Sequence, residues 1–189
     1  LAGRDWITST GSLVRDTWRW YGGTGHSGPN YYGVYSYAPR YGGVNDYLVS
    51  PRYSIGTDVS EVLSFFTQGG YSDGSERDSI NVWVSTEQPE MGVALDTNGV
   101  IVDTGFVNPA TAFNLVYESL PSFDKWDPVN IDLSAYDTDV WVMIQSVQRY
   151  KENGSPDGWM LKVDDLGTPD IYENPLAVLR VGTRYDFGV

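Results

Sequence analysis

The chain has 189 residues, 41% of them hydrophobic. This length and composition suit one globular domain and exclude a chain disordered by composition. Twenty-five Asp and Glu stand against 12 Lys and Arg, so the formal net charge is −13. Nucleic acid and anionic lipid are therefore unsuitable partners, because Lys and Arg supply most of the affinity for both. The sequence contains no run of about 18 apolar residues, so no membrane-spanning segment is predicted.

The chain contains no cysteine, which excludes disulfides, thiolate zinc sites and cysteine nucleophiles. It begins at Leu1-Ala2-Gly3 without a signal peptide, and this start suggests a piece of a longer precursor. The acidic residues are 18 Asp and only 7 Glu. Asp is common in turns and in calcium-binding loops, so its excess indicates either solvated loops or a metal site.

Short apolar or aromatic segments, bounded by Gly, Pro, Asn and Asp, recur along the chain and predict strands. They are residues 17–20, 31–37, 47–50, 59–67, 80–85, 93–96, 100–102, 129–133, 140–147, 159–166 and 177–181. Asn98-Gly99 lies between two apolar runs and predicts a hairpin, because both residues accept positive φ. Helix signals are confined to two short stretches, 109–116 and 173–179.

This succession of short strands, with no alternation of strands and helices, predicts an all-β domain. We expect an antiparallel β-sandwich with jelly-roll topology and little or no helix. The sequence shows no internal repeat and no low-complexity linker, so residues 1–189 are predicted to form a single domain.

Four segments, in this order, carry a resemblance to a known family. They are Thr17-Trp18-Arg19-Trp20 with the following Gly-rich loop, residues 45–51 (NDYLVSP), residues 78–86 (DSINVWVST), and residues 158–166 ending in Asp164-Asp165-Leu166. Together they resemble the cleaved-adhesin or choice-of-anchor J jelly-roll family, a relative of the MAM domains. The likeness covers about residues 17–166, and it leaves 167–189 as an extra C-terminal strand or a linker.

The resemblance implies a non-catalytic accessory or adhesion module of a secreted or cell-surface protein from a bacterium or archaeon. Its expected partners are a glycan or surface-protein ligand and the other domains of its own precursor. Family members usually open with a Phe-Glu strand whose acid tends to sit near calcium. This chain departs from that pattern, because it has only Arg4-Asp5-Trp6 at the corresponding place.

Calcium is the expected cofactor, in a structural role. Asp164 and Asp165 should point to opposite faces of their strand, so that one of them is buried and needs a partner. Ca²⁺ would supply that partner together with other carboxylates and loop carbonyls. The candidate metal ligands are Asp164, Asp165, Asp46, Asp78 and Asp5. The alternative is that these residues cap turns or pair with Arg.

Aromatic residues are dense around the Gly-rich loop, and exposed aromatic rings are typical of binding surfaces. The candidate ligand-binding residues are Trp18, Trp20, Tyr21, Tyr31 and Tyr32. We favour the more ordinary interpretation, in which such rings form the core or cover a sheet. If a group of them is exposed, the chain could instead be a carbohydrate-binding module.

Catalysis is not expected, and no catalytic residue is predicted. The single histidine, His26, lies in a Gly-rich loop, and no Gly-x-Ser-x-Gly elbow accompanies it. Glycosidases need two carboxylates that flank a cleft, but the strand at 80–85 carries no acid. A polysaccharide-active jelly-roll enzyme therefore remains only as the second alternative, after the carbohydrate-binding module.

Overall fold

The computed structural model describes residues 7–10, 18–35, 45–50, 52–55, 61–70, 78–95, 97, 101–106, 110–147 and 160–167. In these ranges the chain forms strands and one 3₁₀ turn, Ala110–Ala112. The strands are β1 (Ile7–Thr10), β2 (Arg19–Gly22), β3 (Asn30–Tyr35), β4 (Asn45–Val49), β5 (Tyr53–Ser54), β6 (Val62–Gly69), β7 (Ser79–Ser85), β8 (Met91–Leu95), β9 (Ile101–Phe106), β10 (Phe113–Ser119), β11 (Asp127–Asp132), β12 (Asp139–Val147) and β13 (Met160–Gly167).

Two antiparallel sheets make up the sandwich. The first sheet has the order β1-β4-β12-β7-β10, with β5 paired to β12, and the second has the order β11-β6-β13-β3-β2. Strands β10 to β13 alternate between the two sheets, so that neighbours within a sheet are distant in sequence. This arrangement confirms the predicted all-β jelly-roll sandwich.

The core lies between the sheets and is built by residues that alternate along each strand. On β6, Leu63 and Phe65 face inward, and on β12 the inward residues are Val140, Val142 and Ile144. The β6 residues that alternate with these inward-facing ones are only half-buried, as expected for a strand with one face on the core. Each sheet therefore presents a second face on the outside of the sandwich.

The predicted pairing of the two strands around Asn98-Gly99 is confirmed, since β8 and β9 pair with each other in antiparallel register, while the two turn residues lie outside the described residues. The stretch 109–116 differs from the prediction, because only its 3₁₀ turn is helical and β10 follows it. A register shift between Leu115 and Tyr117 interrupts the pairing of β10 with β7. Such a bulge breaks the period-two pattern, which explains why no strand was predicted there.

The described ranges end at residue 167, so the predicted C-terminal strand at 177–181 lies outside them. The predicted short helix at 173–179 lies outside them as well. None of the helical residues in the described ranges forms a segment long and apolar enough to cross a membrane.

Candidate functional site

The end of β13 makes a cluster of polar contacts with a distant part of the chain. Asp164 and Asp165 both contact the Gly-rich loop that joins β2 to β3. The prediction that they point to opposite faces is wrong, and the cause is local. The register of β13 shifts between Asp164 and Gly167, and Asp165 has a φ of 54°, so the alternation of side chains stops at this point.

Backbone amides of the loop satisfy the carboxylate of Asp164, which is only 8% exposed. Its Oδ2 accepts the N–H of His26 at 2.7 Å and the N–H of Ser27 at 3.4 Å. Its Oδ1 accepts the N–H of Asp165 at 2.9 Å. The buried carboxylate thus receives the hydrogen bonds that burial makes necessary.

Side chains of the same loop engage Asp165. The hydroxyl of Ser27 donates to Oδ1, and Nδ1 of His26 lies 2.7 Å from Oδ2, within hydrogen-bonding distance. Between them, the two carboxylates have a donor at each of their four oxygens. The loop is therefore fastened to β13 by residues 138 positions apart in sequence.

Gly25 makes this close approach possible. A Cβ atom at Gly25 would collide with the carbonyl oxygen of Asn30, and it would lie 2.6 Å from Oδ2 of Asp164 and 2.9 Å from the carbonyl oxygen of Gly28. The Gly25 N–H also donates to Gly28 O at 2.8 Å, which closes the turn. A side chain at position 25 would therefore hold the loop away from Asp164.

The docked loop completes a row of aromatic rings on the outer face of the second sheet. Tyr21 and Tyr31 stack with ring centroids 5.9 Å apart, and Trp126 meets Tyr31 edge-on at 6.3 Å. His26 meets Trp126 edge-on at 6.3 Å and stacks on Phe66 at 3.5 Å, with a ring angle of 14°. We call these five residues the aromatic strip. It runs from β2, at one edge of the sheet, to the start of β11, at the other.

The strip remains accessible to solvent. Tyr21, Tyr31, Phe66 and Trp126 are half-buried, and 34% of the His26 side chain is exposed. Beside them, Phe123 is 48% exposed. The backbone carbonyl of Phe123 accepts a hydrogen bond from the Gln68 side chain at 3.1 Å, which attaches the loop before β11 to β6.

The candidate ligand-binding residues divide between the strip and the interior. Tyr21 and Tyr31 belong to the aromatic strip. Trp18 and Tyr32 are 1% and 7% exposed and pack in the core, so their rings are not on the binding surface. Trp20 lies in β2 opposite Tyr32, and its side chain is outside the described part of the structure.

The candidate metal ligands do not all come together. Asp164 and Asp165 are adjacent, whereas Asp78 is buried beside β7 in the other sheet. Asp46 lies in β4 of that other sheet with its side chain undescribed, and Asp5 is outside the described residues. Across the described ranges, no three His, Asp or Glu side chains are grouped so as to hold a metal ion.

The oxygens of Asp164 and Asp165 are the ligand type that Ca²⁺ prefers, but two residues are few for an ion that takes six to eight oxygens. The sequence argument for calcium was that a buried carboxylate needs a partner. In the structure, backbone amides fill that role for Asp164. Calcium therefore stays a prediction that rests on the sequence resemblance.

Ser27, His26 and Asp165 lie together, yet their hydrogen bonds are not those of a catalytic triad. In a triad the serine hydroxyl bonds to the histidine, which in turn bonds to the carboxylate. Here the Ser27 hydroxyl and the His26 ring both bond to Asp165. This arrangement fastens a loop and does not place the histidine as a base on the serine.

Sequence reasoning missed Trp126 and Phe66 as site residues. Trp126 precedes β11 and is separated from the Tyr-rich segment by about a hundred positions, so no local pattern connects them. Phe66 could have been found, because it follows the core residue Phe65 and must therefore face outward. The signal in the sequence was an aromatic residue on the outer face of a predicted strand.

No protein-family model and no curated protein matches the chain. Solved structures of three cleaved-adhesin domains of Lys-gingipain do match. The K3 domain, from Porphyromonas gingivalis W83, is 16% identical with a TM-score of 0.57, and the match covers 86% of this chain and 90% of that one. The K2 domain is 16% identical with a TM-score of 0.54, and the K1 domain, also from P. gingivalis W83, is 14% identical with a TM-score of 0.52.

The K1 and K2 matches each cover 85% of this chain and 87% of the other. At these identities the likeness concerns the fold, and it extends over most of the sandwich in all three cases. The chain therefore has the fold of a cleaved-adhesin domain, and the resemblance found in its sequence is confirmed.

Proposed function

We propose that the chain is a non-catalytic binding domain of an extracellular or cell-surface protein, and that it binds glycans at the aromatic strip. The observation that carries this proposal is the strip itself, in which four ring contacts link five rings into one series across the outer face of one sheet. Sugar rings have apolar faces that pack on aromatic side chains, while their hydroxyl groups bond to polar neighbours. Gln68 and Lys162 provide such neighbours.

The rings are held in place before any ligand arrives. Phe66 and Tyr31 stand on strands, and His26 is fixed between Phe66 and Asp165. Binding on a surface that is already ordered loses little side-chain entropy, so a weak stacking contact contributes more of its energy to affinity. A sheet surface of this kind suits an extended chain of sugar units.

The test compares Trp126→Ala with Trp141→Ala. Trp126 belongs to the strip, whereas Trp141 is a half-buried tryptophan on β12 of the other sheet. Affinity electrophoresis against a panel of polysaccharides should show binding by the unmodified chain. We expect Trp126→Ala to weaken that binding about five- to tenfold, since loss of an aromatic contact costs roughly 1–1.4 kcal/mol. Trp141→Ala should change it less than about twofold.

Two results would contradict the proposal. One is that no polysaccharide of the panel retards the migration of the chain. The other is that Trp141→Ala weakens binding as much as Trp126→Ala does, because the strip would then not be the site. Thermal melts of both variants control for loss of folding.

A protein ligand, or another domain of the precursor, is the second candidate partner. Exposed apolar side chains favour it: Leu115 and Val116 on β10, and Leu120 just after it. These residues lie on an edge strand of the first sheet, away from the aromatic strip. The two surfaces can be separated by mutation, because Leu115→Ser should affect a protein partner and leave glycan binding intact.

Structural calcium also belongs to the proposal. It rests on the sequence resemblance and on the two adjacent carboxylates at the end of β13. Asp164 and Asp165 would bind the ion together with loop carbonyls and water. The bound ion would stabilise the loop that carries His26.

A further inference from the structure

Lys162 is a cation placed inside the aromatic strip. It lies on β13, opposite Gln68 of β6 on one side and Gly33 of β3 on the other. Its Nζ lies 5.2 Å from the centroid of the Tyr31 ring and donates to Oε1 of Gln68 at 3.1 Å. Both contacts hold the ammonium group over the outer face of the sheet, beside the Tyr31 ring.

Within the described ranges, the ion pairs are His26–Asp165, Arg52–Asp139 and Lys125–Asp127, and Lys162 takes part in none of them. The nearest acid on its own face of β13 is Asp164, whose oxygens accept backbone N–H groups of the loop. Burial lowers the pKa of the Lys162 ammonium group, and no carboxylate raises it again. In a chain with 25 acidic residues, this half-buried cation is neutralised by none of those described.

We infer that the aromatic strip prefers a glycan bearing a carboxylate, such as a uronic acid residue, and that Lys162 binds this carboxylate. The inference rests on the proposed glycan function and names the ligand class for the same site. The sugar ring would pack on the part of the strip next to Lys162, and its carboxylate would reach the ammonium group there. A hydrogen bond between an ammonium and a carboxylate, in which both partners are charged, is stronger than the bond that the Lys162 ammonium makes to the uncharged Gln68 amide.

The negative charge of the chain limits the kind of acidic glycan that fits. A net charge of −13 repels a dense polyanion. A short oligosaccharide needs only one carboxylate at Lys162, and at 0.15 M salt the charges beyond about 8 Å are largely screened. We therefore expect selectivity for individual uronate residues and no general attraction to polyanions.

The test uses short uronate oligosaccharides, each paired with its own methyl ester, so that the members of a pair differ in the carboxylate charge and otherwise only by the ester methyl groups. Suitable probes are trigalacturonate, trimannuronate and a hyaluronate tetrasaccharide. Calorimetric titration of the full chain at 0.15 M NaCl should give at least one acid that binds about tenfold tighter than its ester. The ratio of the two affinities is the readout.

Three variants test whether Lys162 causes the difference in affinity between acid and ester. Lys162→Gln should reduce the ratio of affinities to about one, while Lys162→Arg should keep it, because the positive charge remains. Arg52→Gln is the control, since it removes one positive charge from an exposed position on the other sheet. It should leave the ratio unchanged.

The outcomes distinguish this inference from the proposed function. If neutral glycans bind and no acid binds better than its ester, the inference fails and glycan binding stands. The inference also fails if Lys162→Gln keeps the preference. If no glycan of either kind binds, and the Trp126→Ala test is negative as well, both fall together.

Discussion

Single residues decide whether the Gly-rich loop can reach β13. Asp164 and Asp165 provide the acceptors, and the loop provides backbone and side-chain donors from His26 and Ser27. Gly25 is the residue that allows the approach, because any side chain there would meet two carbonyl oxygens and the Asp164 carboxylate. The position of the His26 ring in the aromatic strip follows from these contacts.

A pair of glycine substitutions in one loop tests this account. Gly25→Ala should lower the free energy of unfolding by about 1–3 kcal/mol, the usual cost of forcing atoms into a filled space. It should also weaken the proposed glycan binding, because His26 moves with the loop. Gly28→Ala is the matched control, since a Cβ there meets no atom within 4 Å, and it should change stability by less than about 0.5 kcal/mol.

Urea unfolding and affinity electrophoresis provide the two measurements. Equal stability of the two alanine variants would mean that the loop does not dock as described.

At the scale of one element, β6 serves both the core and the site. Its odd-numbered residues pack inward, and its even-numbered residues form the middle of the outer face. Phe65 is fully buried in the core, and its neighbour Phe66 supports the His26 ring on the outside. Adjacent residues of one strand thus serve the core and the candidate binding surface.

Truncation of each phenylalanine in turn should separate the two roles. Phe65→Ala should cost about 3–5 kcal/mol of unfolding free energy, as large-to-small changes in a core do. Phe66→Ala should cost about 1 kcal/mol, the value of an aromatic pair, and it should weaken glycan binding at the same time. Chemical denaturation gives the first comparison and titration with a bound polysaccharide gives the second. A Phe66 variant as unstable as the Phe65 variant would contradict the alternation.

At the scale of the whole molecule, the excess of negative charge bears on both stability and ligand choice. The chain carries a net charge of −13, and the pairs Arg52–Asp139 and Lys125–Asp127 are exposed, where ion pairs contribute little. Mutual repulsion of the carboxylates therefore works against the folded state. A bound cation would relieve part of it.

A thermal melt in calcium and then in EGTA tests the predicted metal site. If Ca²⁺ binds, its presence at about a hundredfold excess over Kd should raise Tm by roughly 5–10 °C, because binding to the folded state alone contributes about 2.7 kcal/mol. Mg²⁺ at the same concentration controls for simple screening of the charge. Identical melts in all three conditions would contradict the predicted calcium site. The loop amides would then be the partners of Asp164.

The sequence by itself determined the fold class, because local patterns carry that information. Alternation along segments such as 80–85 and 140–147 predicted strands with one buried face, and Asn98-Gly99 predicted the hairpin of β8 and β9. The order of four short segments was enough to indicate a cleaved-adhesin type of jelly roll. Strand β10 escaped detection, because an edge strand with a bulge buries little and keeps no regular period.

Only the tertiary structure decided which residues form the site. The aromatic strip combines residues from β2, β3, β6, the Gly-rich loop and the start of β11, and strand order is not encoded in local periodicity. For the same reason the sequence could not tell that Trp18 and Tyr32 face the core while Tyr21 and Tyr31 face outward. Asp164 and Asp165 came to one side because the strand bulges at Asp165, and a bulge depends on what packs against it.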